Sequence, residues 1–236
     1  MLLFLGAVVL TLAWELLGAD LAVMHFFGSA QGFPLRSSWL METLLHDDLR
    51  KLGVVLYALV WVWALWPQRW SAGHWPVFQI GRRERIWLGV LVTACLLAIN
   101  LIKRSSATSC PWSLSEFGGV AAYVSHWNLW LTDGGPGHCF PGGHASSAFA
   151  FIGLTLPWLE PSTGPGHPAP NTQAWRWLGL IGVIGIFLGA VQTLRGAHYP
   201  SHTLWTLLIC WGVSWALWRL GRPWLARSAA TSPDRV

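Results

Sequence analysis

The sequence predicts an all-α polytopic membrane protein, a bundle of six transmembrane helices. Of its 236 residues, 53% are hydrophobic and only 11% are charged, whereas a soluble domain carries about a quarter charged residues. The 19 tryptophans agree with this, because indole rings are enriched at membrane–water interfaces. So few charges do not cover a water-exposed surface of this size. The length predicts a single membrane domain over residues 1–236.

Six apolar runs of near-spanning length follow one another along the chain. A span needs ~20 apolar residues, with ~17 as a lower limit, so the shorter runs must include flanking residues. No Lys or Arg precedes the first run, whereas a cleavable signal peptide opens with positive charge. We therefore expect the first run to be a retained helix. The runs lie at about residues 2–18, 52–67, 86–102, 144–159, 177–194 and 203–220.

The basic residues predict an orientation. Nine of the 15 Lys and Arg residues fall in the connections 68–85 and 160–176 and in the C-terminal tail, which share one side if there are six spans. The positive-inside rule assigns that side to the cytoplasm. Residues 103–143 and an amphipathic stretch at 19–51 are then outside. The basic residues form no continuous stripe of the kind that nucleic acid needs, so no nucleic-acid partner is expected.

Three polar clusters lie at the outer ends of the predicted spans. Lys103, Arg104 and Arg195 supply positive charge, and the guanidinium fork matches phosphate oxygens. Gly142 and Gly143 leave backbone N–H groups uncovered at a predicted helix start, a position that favours anions. Taken singly, the first two cations can be residues reaching toward the interface, and the glycines can form a plain turn. Together the clusters predict a phosphate-type anion site. They cover residues 103–112, 139–144 and 192–202.

Histidines in the same clusters add chemistry. His144, His198 and His202 offer nucleophilic and proton-transfer groups near neutral pH, as phosphoryl transfer requires beside positioning and charge neutralisation. The alternative is a zinc site, because His198 and His202 are four residues apart. Pro200 between them disfavours a continuous helix there, and no carboxylate is close in sequence.

The four cysteines divide into two pairs. Cys95 and Cys210 fall inside predicted spans, where a thiol behaves as a small apolar side chain. Cys110 and Cys139 fall in the long outer loop. In an oxidising compartment they can form a disulfide, and two unpaired thiols are the alternative.

The clusters resemble the motifs of the type 2 phosphatidic acid phosphatase superfamily, which also includes the vanadium haloperoxidases. That family carries a Lys followed after six residues by Arg-Pro, then Pro-Ser-Gly-His, then Ser-Arg with a His six positions after the Arg and an Asp four further on. Here Lys103 is followed after six residues by Cys110-Pro111, residues 141–144 read Pro-Gly-Gly-His, and His198 matches the third-motif histidine.

Three of the departures from that pattern fall at positions that are charged in the family. Cys110 and Gln192 stand where the family has Arg, and His202 stands where it has Asp. Arg195 lies three residues after Gln192 and can face the same side of a helix. One cation and one anion are lost together, so the net charge of the site is kept. The Cys-Pro-Trp and Arg-Gly-Ala-His variants resemble a bacterial branch, which implies the bacterial cytoplasmic membrane, with the site on its outer face.

The resemblance implies a role for each residue. His198 attacks phosphorus and forms a phosphohistidine, His202 replaces Asp in orienting it, and His144 protonates the leaving oxygen. No metal and no cofactor is implied. The phosphoryl oxygens are held by Lys103, Arg195, Gly142, Gly143, Arg104 and Gln192.

We therefore expect an enzyme that hydrolyses a lipid-linked phosphate monoester or diphosphate, with the bilayer and a membrane lipid phosphate as its partners. A lipid-to-lipid phosphotransferase and a non-catalytic lipid-binding membrane protein are the alternatives. A transporter is disfavoured, because few polar residues besides Glu15 and Asn100 lie inside the predicted spans.

Overall fold

The computed structural model describes residues 2–67, 80–128, 130–160 and 172–230, the last five of these by their backbone alone. Every regular element in these ranges is helical. A π-helical segment, Leu40–Asp48, precedes the third α-helix, and short 3-10 turns cover Pro111–Ser113, Ser115–Phe117 and Ala150–Thr155. The α-helices are α1 (Leu2–Leu16), α2 (Ala19–Phe27), α3 (Leu49–Leu65), α4 (Arg82–Ser105), α5 (Ser146–Phe149), α6 (Leu156–Leu159), α7 (Thr172–Leu194) and α8 (Pro200–Ala230).

Within the described ranges, three helices are long and apolar enough to cross a membrane: α4, α7 and α8 over Pro200–Leu225. The pair α1 and α2 is bent by 77° and makes a fourth candidate if it counts as one span. The prediction of six spans is thus met only in part. The run at 52–67 became a helix of 17 residues, and the run at 144–159 forms the shorter helix Ser146–Leu159. That helix tightens to 3-10 geometry in its middle and has Pro157 at the start of its last turn, where the ring removes a backbone donor.

The core lies between α4, α8 and Ser146–Leu159. Gly189 on α7 allows a close approach to α8, because a Cβ there would lie 2.3 Å from the Thr203 side chain. Small residues serve this purpose where membrane helices pack. Large apolar side chains on the outer faces of α3 and α7 stay exposed, as lipid-facing surfaces do. The buried side chains include Val92, Cys95, Ile99, Phe149, Ile152 and Cys210.

Side-chain contacts fix the helix ends on the side of the bundle opposite the polar clusters. Arg85 at the start of α4 is fully buried and donates to the backbone carbonyls of Trp63 and Trp66, at 3.0 and 2.8 Å. Both carbonyls lie at the end of α3, and that of Trp63 also accepts the Trp66 N–H at 3.3 Å. Glu160 accepts hydrogen bonds from Arg219 of α8 at 2.8 and 3.2 Å. The end of the bundle opposite the polar clusters is therefore held by charged groups.

The loop between α4 and α5 is cross-linked to itself and to α8. Buried Asp133 accepts hydrogen bonds from the Ser109 hydroxyl and from the Gly135 N–H, both at 2.9 Å. Cys110 and Cys139 form a disulfide, so of the two alternatives left by the sequence the structure confirms the pairing.

The three polar clusters converge through main-chain hydrogen bonds. Trp112 N–H donates to the Gly196 carbonyl at 2.9 Å, and Gly142 N–H donates to the His202 carbonyl at 3.2 Å. Gly196 has φ +72°, a left-handed conformation that favours glycine. These bonds place the first and second clusters against the third.

Candidate active site

A cavity of about 470 Å³ lies at the end of the bundle where the clusters meet. It contains five of the residues that the sequence predicted for the site: Lys103, Gly143, His144, Gln192 and His198. Residues that are more than 40 positions apart in sequence therefore meet in one place.

The cavity is polar at one end and apolar along its depth. Arg50 and Tyr57 line it from α3, and Lys103 and Leu96 line it from α4. Each pair is seven residues apart, which corresponds to about 10 Å of helix. The cations lie at the cluster end and the apolar side chains lie deeper. Val54 also lines the cavity and is 62% exposed, so the cavity opens on the lateral surface of the bundle.

His198 lies in the turn between α7 and α8. Its ring is almost completely buried, and its Nδ1 lies 3.5 Å from Cys139 Sγ. Burial lowers the pKa of His198 well below the usual 6.5, and the nearby positive charge of Lys103 lowers it further. The imidazole is therefore neutral at pH 7, which is the state that can act as a nucleophile.

His144 lies just before α5. Its Nε2–H donates to the Leu45 carbonyl at 3.1 Å, which leaves Nδ1 for a ligand. The ring stacks on His46 with centroids 4.9 Å apart. Burial, together with the neighbouring His46, lowers the pKa of His144 to about 4. An anion in the cavity would oppose this shift, because a nearby negative charge favours the protonated ring.

Gln192 lies in the last turn of α7 beside the cavity, and Arg195 lies behind it. Arg195 Nη1 donates to Gln192 Oε1 at 3.2 Å, and its Nε donates to the Arg36 carbonyl at 3.0 Å. Its Nη2 lies 3.4 Å from Glu42. Because Arg is only a donor, Gln192 must turn its oxygen to Arg195. The Gln192 Nε2 is buried and has no partner in the described ranges, so it is the group left to donate to a ligand.

The remaining predicted phosphate ligands divide in the same way. A Cβ on Gly143 would lie 3.5 Å from Lys103 Nζ, so these two residues face each other across the cavity wall. Gly142 N–H is taken by the His202 carbonyl, and Arg104 is exposed outside the cavity lining. Gly143 and Lys103 are thus placed to hold an anion, whereas Gly142 and Arg104 are not.

His202 lies one layer behind His198. It is fully buried, and its ring centroid is 5.7 Å from that of His198. Neither of its ring nitrogens has a hydrogen-bond partner in the part of the chain that the structure describes. The direct His202–His198 hydrogen bond implied by the resemblance is therefore not formed in this conformation.

Two cavity residues, His46 and Arg50, were missed by sequence reasoning. His46 comes from the π-helical segment and Arg50 from the first turn of α3. Arg50 is close enough to lower the pKa of His144. The run His46-Asp-Asp-Leu-Arg-Lys51 is the densest group of titratable residues in the predicted amphipathic stretch, and that density was the available signal.

Comparison with protein families gives one match. A family model described as the PAP2 superfamily matches residues 84–225, more than half of the chain. The chain belongs to the PAP2 superfamily. Neither the curated proteins nor the solved structures gave a match. The PAP2 match confirms the resemblance drawn from the motifs.

The PAP2 match begins in α4 and ends in α8, so it covers all three motifs. His46 and Arg50 lie before it and add a second wall to the PAP2 motif residues. The superfamily relation supports phosphatase-type activity. The sequence left a zinc site at His198 and His202 as an alternative. Among the described residues, the group with the spacing of metal ligands is instead His198 with Cys110 and Cys139. The two sulfurs of that group are bonded to each other, so they do not offer two thiolates.

Proposed function

We propose that the chain is an integral membrane phosphatase that removes phosphate from a lipid-linked substrate. One observation carries this proposal: His198, Lys103 and Gln192 lie at the polar end of a cavity whose deeper wall is apolar and open to the side of the bundle. A lipid phosphate has the same division, with a charged head and an apolar tail. A water-soluble phosphate ester has no use for the apolar wall formed by Val54, Leu96 and Phe151.

In the first step, Nε2 of neutral His198 attacks phosphorus. The N–P bond forms as the bond from phosphorus to the lipid oxygen breaks, which gives a phosphohistidine. Lys103 and Arg50 neutralise the phosphoryl oxygens, and the Gln192 amide donates a hydrogen bond to them. Such positioned charges and donors are the main source of rate in phosphoryl transfer. His144, protonated at Nδ1 once the anion is bound, gives that proton to the leaving oxygen.

In the second step, water attacks the phosphohistidine. His144, now neutral, accepts a proton from the water as the new P–O bond forms and the N–P bond breaks. Inorganic phosphate is released, and His198 returns to its neutral state. A lipid hydroxyl in place of water would give phosphotransfer. These steps need no metal ion or cofactor.

We also propose that the cavity faces the exterior of the bacterial cytoplasmic membrane. Six crossings are required for this topology, with α3 and Ser146–Leu159 extended by flanking residues or by local thinning of the bilayer. The Cys110–Cys139 disulfide supports it, since disulfides persist on the oxidising side of a membrane. Of the basic connections on which the positive-inside argument depends, 68–79 and 161–171 lie outside the described residues.

Phosphate release from purified full-length protein in detergent micelles tests the function. Phosphatidic acid and a long-chain isoprenyl diphosphate are the probes, and p-nitrophenyl phosphate is the comparison without a lipid tail. We expect turnover of a lipid probe with a kcat/KM well above that of the tail-free ester. His198→Ala should abolish it, and His25→Ala, at an exposed histidine outside the cavity, should not. No turnover of either lipid would contradict the proposal.

A further inference from the structure

A row of three imidazole rings leads from the cavity into the protein. The rings of His198, His202 and His126 follow one another with centroids 5.7 and 5.6 Å apart. Beyond them, His126 Nε2 lies 3.3 Å from Oε1 of Glu15 in α1. The side chains of His126 and Glu15 are 5% and 16% exposed. The row therefore connects the proposed nucleophile to a shielded carboxylate that lies outside the PAP2 match.

The row contains buried nitrogen atoms that lack partners. Both ring nitrogens of His202, and Nε2 of His126, have no hydrogen bond of good geometry within the described ranges. Buried polar atoms are as a rule hydrogen-bonded. A linear hydrogen bond of about 2.9 Å between two imidazoles places their centroids about 5 Å apart. Shifts of about half an ångström per contact, with ring rotations that turn the nitrogens toward one another, would therefore satisfy these atoms.

We propose that Glu15 and His126 are positioning residues that act on His198 through His202, so that Glu15 supplies the carboxylate that the family pattern carries as Asp. This proposal rests on the phosphatase function proposed above. In the hydrogen-bonded row, Nδ1–H of His198 donates to His202, and His202 donates to His126. Nε2–H of His126 then donates to Glu15. The neutral rings of His202 and His126 each donate once and accept once, whereas His198 only donates, so that its Nε2 stays free to attack.

The surroundings of the row determine its direction. A carboxylate only accepts hydrogen bonds, so Glu15 defines the accepting end, and it also receives the Trp205 indole N–H at 2.9 Å. At the other end, Nδ1 of His198 lies 3.5 Å from Cys139 Sγ, and the Cys139 backbone lies beside both His198 and His202. Phe140 stacks on His126 with centroids 4.1 Å apart and holds that ring in plane.

Electrostatics explains why the reaction needs the hydrogen-bonded row. When the N–P bond forms, positive charge develops on His198, and Lys103 and His144 nearby disfavour it. A hydrogen-bonded row in a low-dielectric interior is polarised along its length, so a distant carboxylate can stabilise that charge, as the Asp of a catalytic triad does directly. Burial lowers the pKa of His126 to about 4, with Asp20 acting in the opposite direction. His126 is therefore neutral, as the hydrogen-bonded row requires.

Steady-state kinetics of variants that interrupt the row test the proposed role of Glu15 and His126. Glu15→Gln keeps an acceptor for Trp205 but removes the negative charge, and His126→Phe keeps the ring stack but removes both nitrogens. We expect each to lower kcat by about tenfold or more, less than the ~10⁴-fold loss for a directly bonded triad carboxylate, with KM within about twofold. Glu15→Asp should retain clearly more kcat than Glu15→Gln. Parent-like kcat in Glu15→Gln, or equal losses in the Asp and Gln variants, would overturn the proposal.

The chain offers a matched control pair. His25 and Glu116 also form a His–Glu contact, at 2.9 Å, but both side chains are about half exposed. Glu116→Gln and His25→Phe repeat the same substitutions at that pair and should leave kcat and KM unchanged. A loss of the same size in these controls would mean that the effect reflects general destabilisation, and it would also overturn the proposal.

A second measurement does not depend on turnover. The ring ¹⁵N signals of the full-length protein in detergent, labelled with ¹⁵N-histidine, report the tautomer of each ring. Glu15→Gln should move the signals of His126, His202 and His198, whereas Glu116→Gln should move only that of His25. Unmoved His202 and His198 signals in Glu15→Gln would overturn the proposed row. An inactive parent protein would instead contradict the phosphatase function, and the ¹⁵N signals would still show whether the row exists.

Discussion

Replacing Gln192 by Leu removes the one cavity amide whose donor has no partner in the described residues, while side-chain size is nearly kept. Arg195 holds the Gln192 oxygen at 3.2 Å, so Nε2 is the atom left for a phosphate oxygen. A hydrogen bond to a charged group contributes ~1.5–3 kcal/mol, which corresponds to a fall in kcat/KM of about 10- to 150-fold. Arg195 keeps its contacts with the Arg36 carbonyl and with Glu42, so the turn after α7 should stay folded.

The assay is phosphate release from phosphatidic acid in mixed micelles over a full substrate range. Gln173→Leu is the control, because it repeats the substitution on the same helix at an exposed position about 28 Å away. The control should match the parent protein. If Gln192→Leu also stays within about twofold of the parent while His198→Ala is inactive, the amide does not contact the phosphoryl group and this interpretation of the cavity is wrong.

Three further outcomes are expected. Arg50→Ala should raise KM for a lipid phosphate about tenfold, because one cavity cation is lost. Lys51→Ala, at an exposed residue paired with Asp48, should leave KM unchanged. Equal effects of the two substitutions in steady-state kinetics would refute this. Reducing the Cys110–Cys139 bond, which joins residues 29 apart, should lower the free energy of unfolding by about 3–4 kcal/mol and reduce activity, and denaturant titrations with and without reductant that coincide would contradict it. Finally, kcat/KM should not fall as pH is lowered through 6.5, since burial and Lys103 hold the pKa of His198 below that value and keep the nucleophile neutral. A pH–rate profile of the parent protein in which kcat/KM falls along an acid limb near 6.5 would contradict this.

The convergence of the motifs could be predicted from the sequence because it depends on local patterns. Lys103, His144 and His198 each lie at the end of an apolar run, and spans of alternating direction bring such ends to common sides. The structure places all three around one cavity. From its spacing, Arg195 was expected to face the same side of the helix as Gln192, and its role in binding phosphate stays a prediction. Arg195 does contact Gln192, three residues earlier, but its other donors face Arg36 and Glu42, which the sequence could not show to be near.

The parts that sequence reasoning missed depend on tertiary packing. His46 reaches the cavity from a π-helical segment, whose periodicity differs from the 3.6-residue pattern used to recognise helix faces. Of the six predicted spans, three helices or up to four are long and apolar enough to cross a membrane among the described residues, because an apolar run does not specify a continuous helix. Ser146–Leu159 changes to 3-10 geometry around Gly153, where a Cβ would lie 3.2 Å from side-chain atoms of Leu91 and Ser214. Packing against α4 and α8 thus decides the geometry of that helix.

Trapping the phosphoenzyme tests the central claim most directly. Purified protein is mixed with ³²P-labelled lipid phosphate, quenched in base within one turnover, and mapped by mass spectrometry, since phosphohistidine is stable in base and labile in acid. The account predicts one phosphoryl group per chain on His198, its absence in His198→Ala, and its accumulation in a His144→Ala variant given a substrate with a good leaving group. Full turnover with no phosphohistidine, or with the label on any other residue, would contradict it.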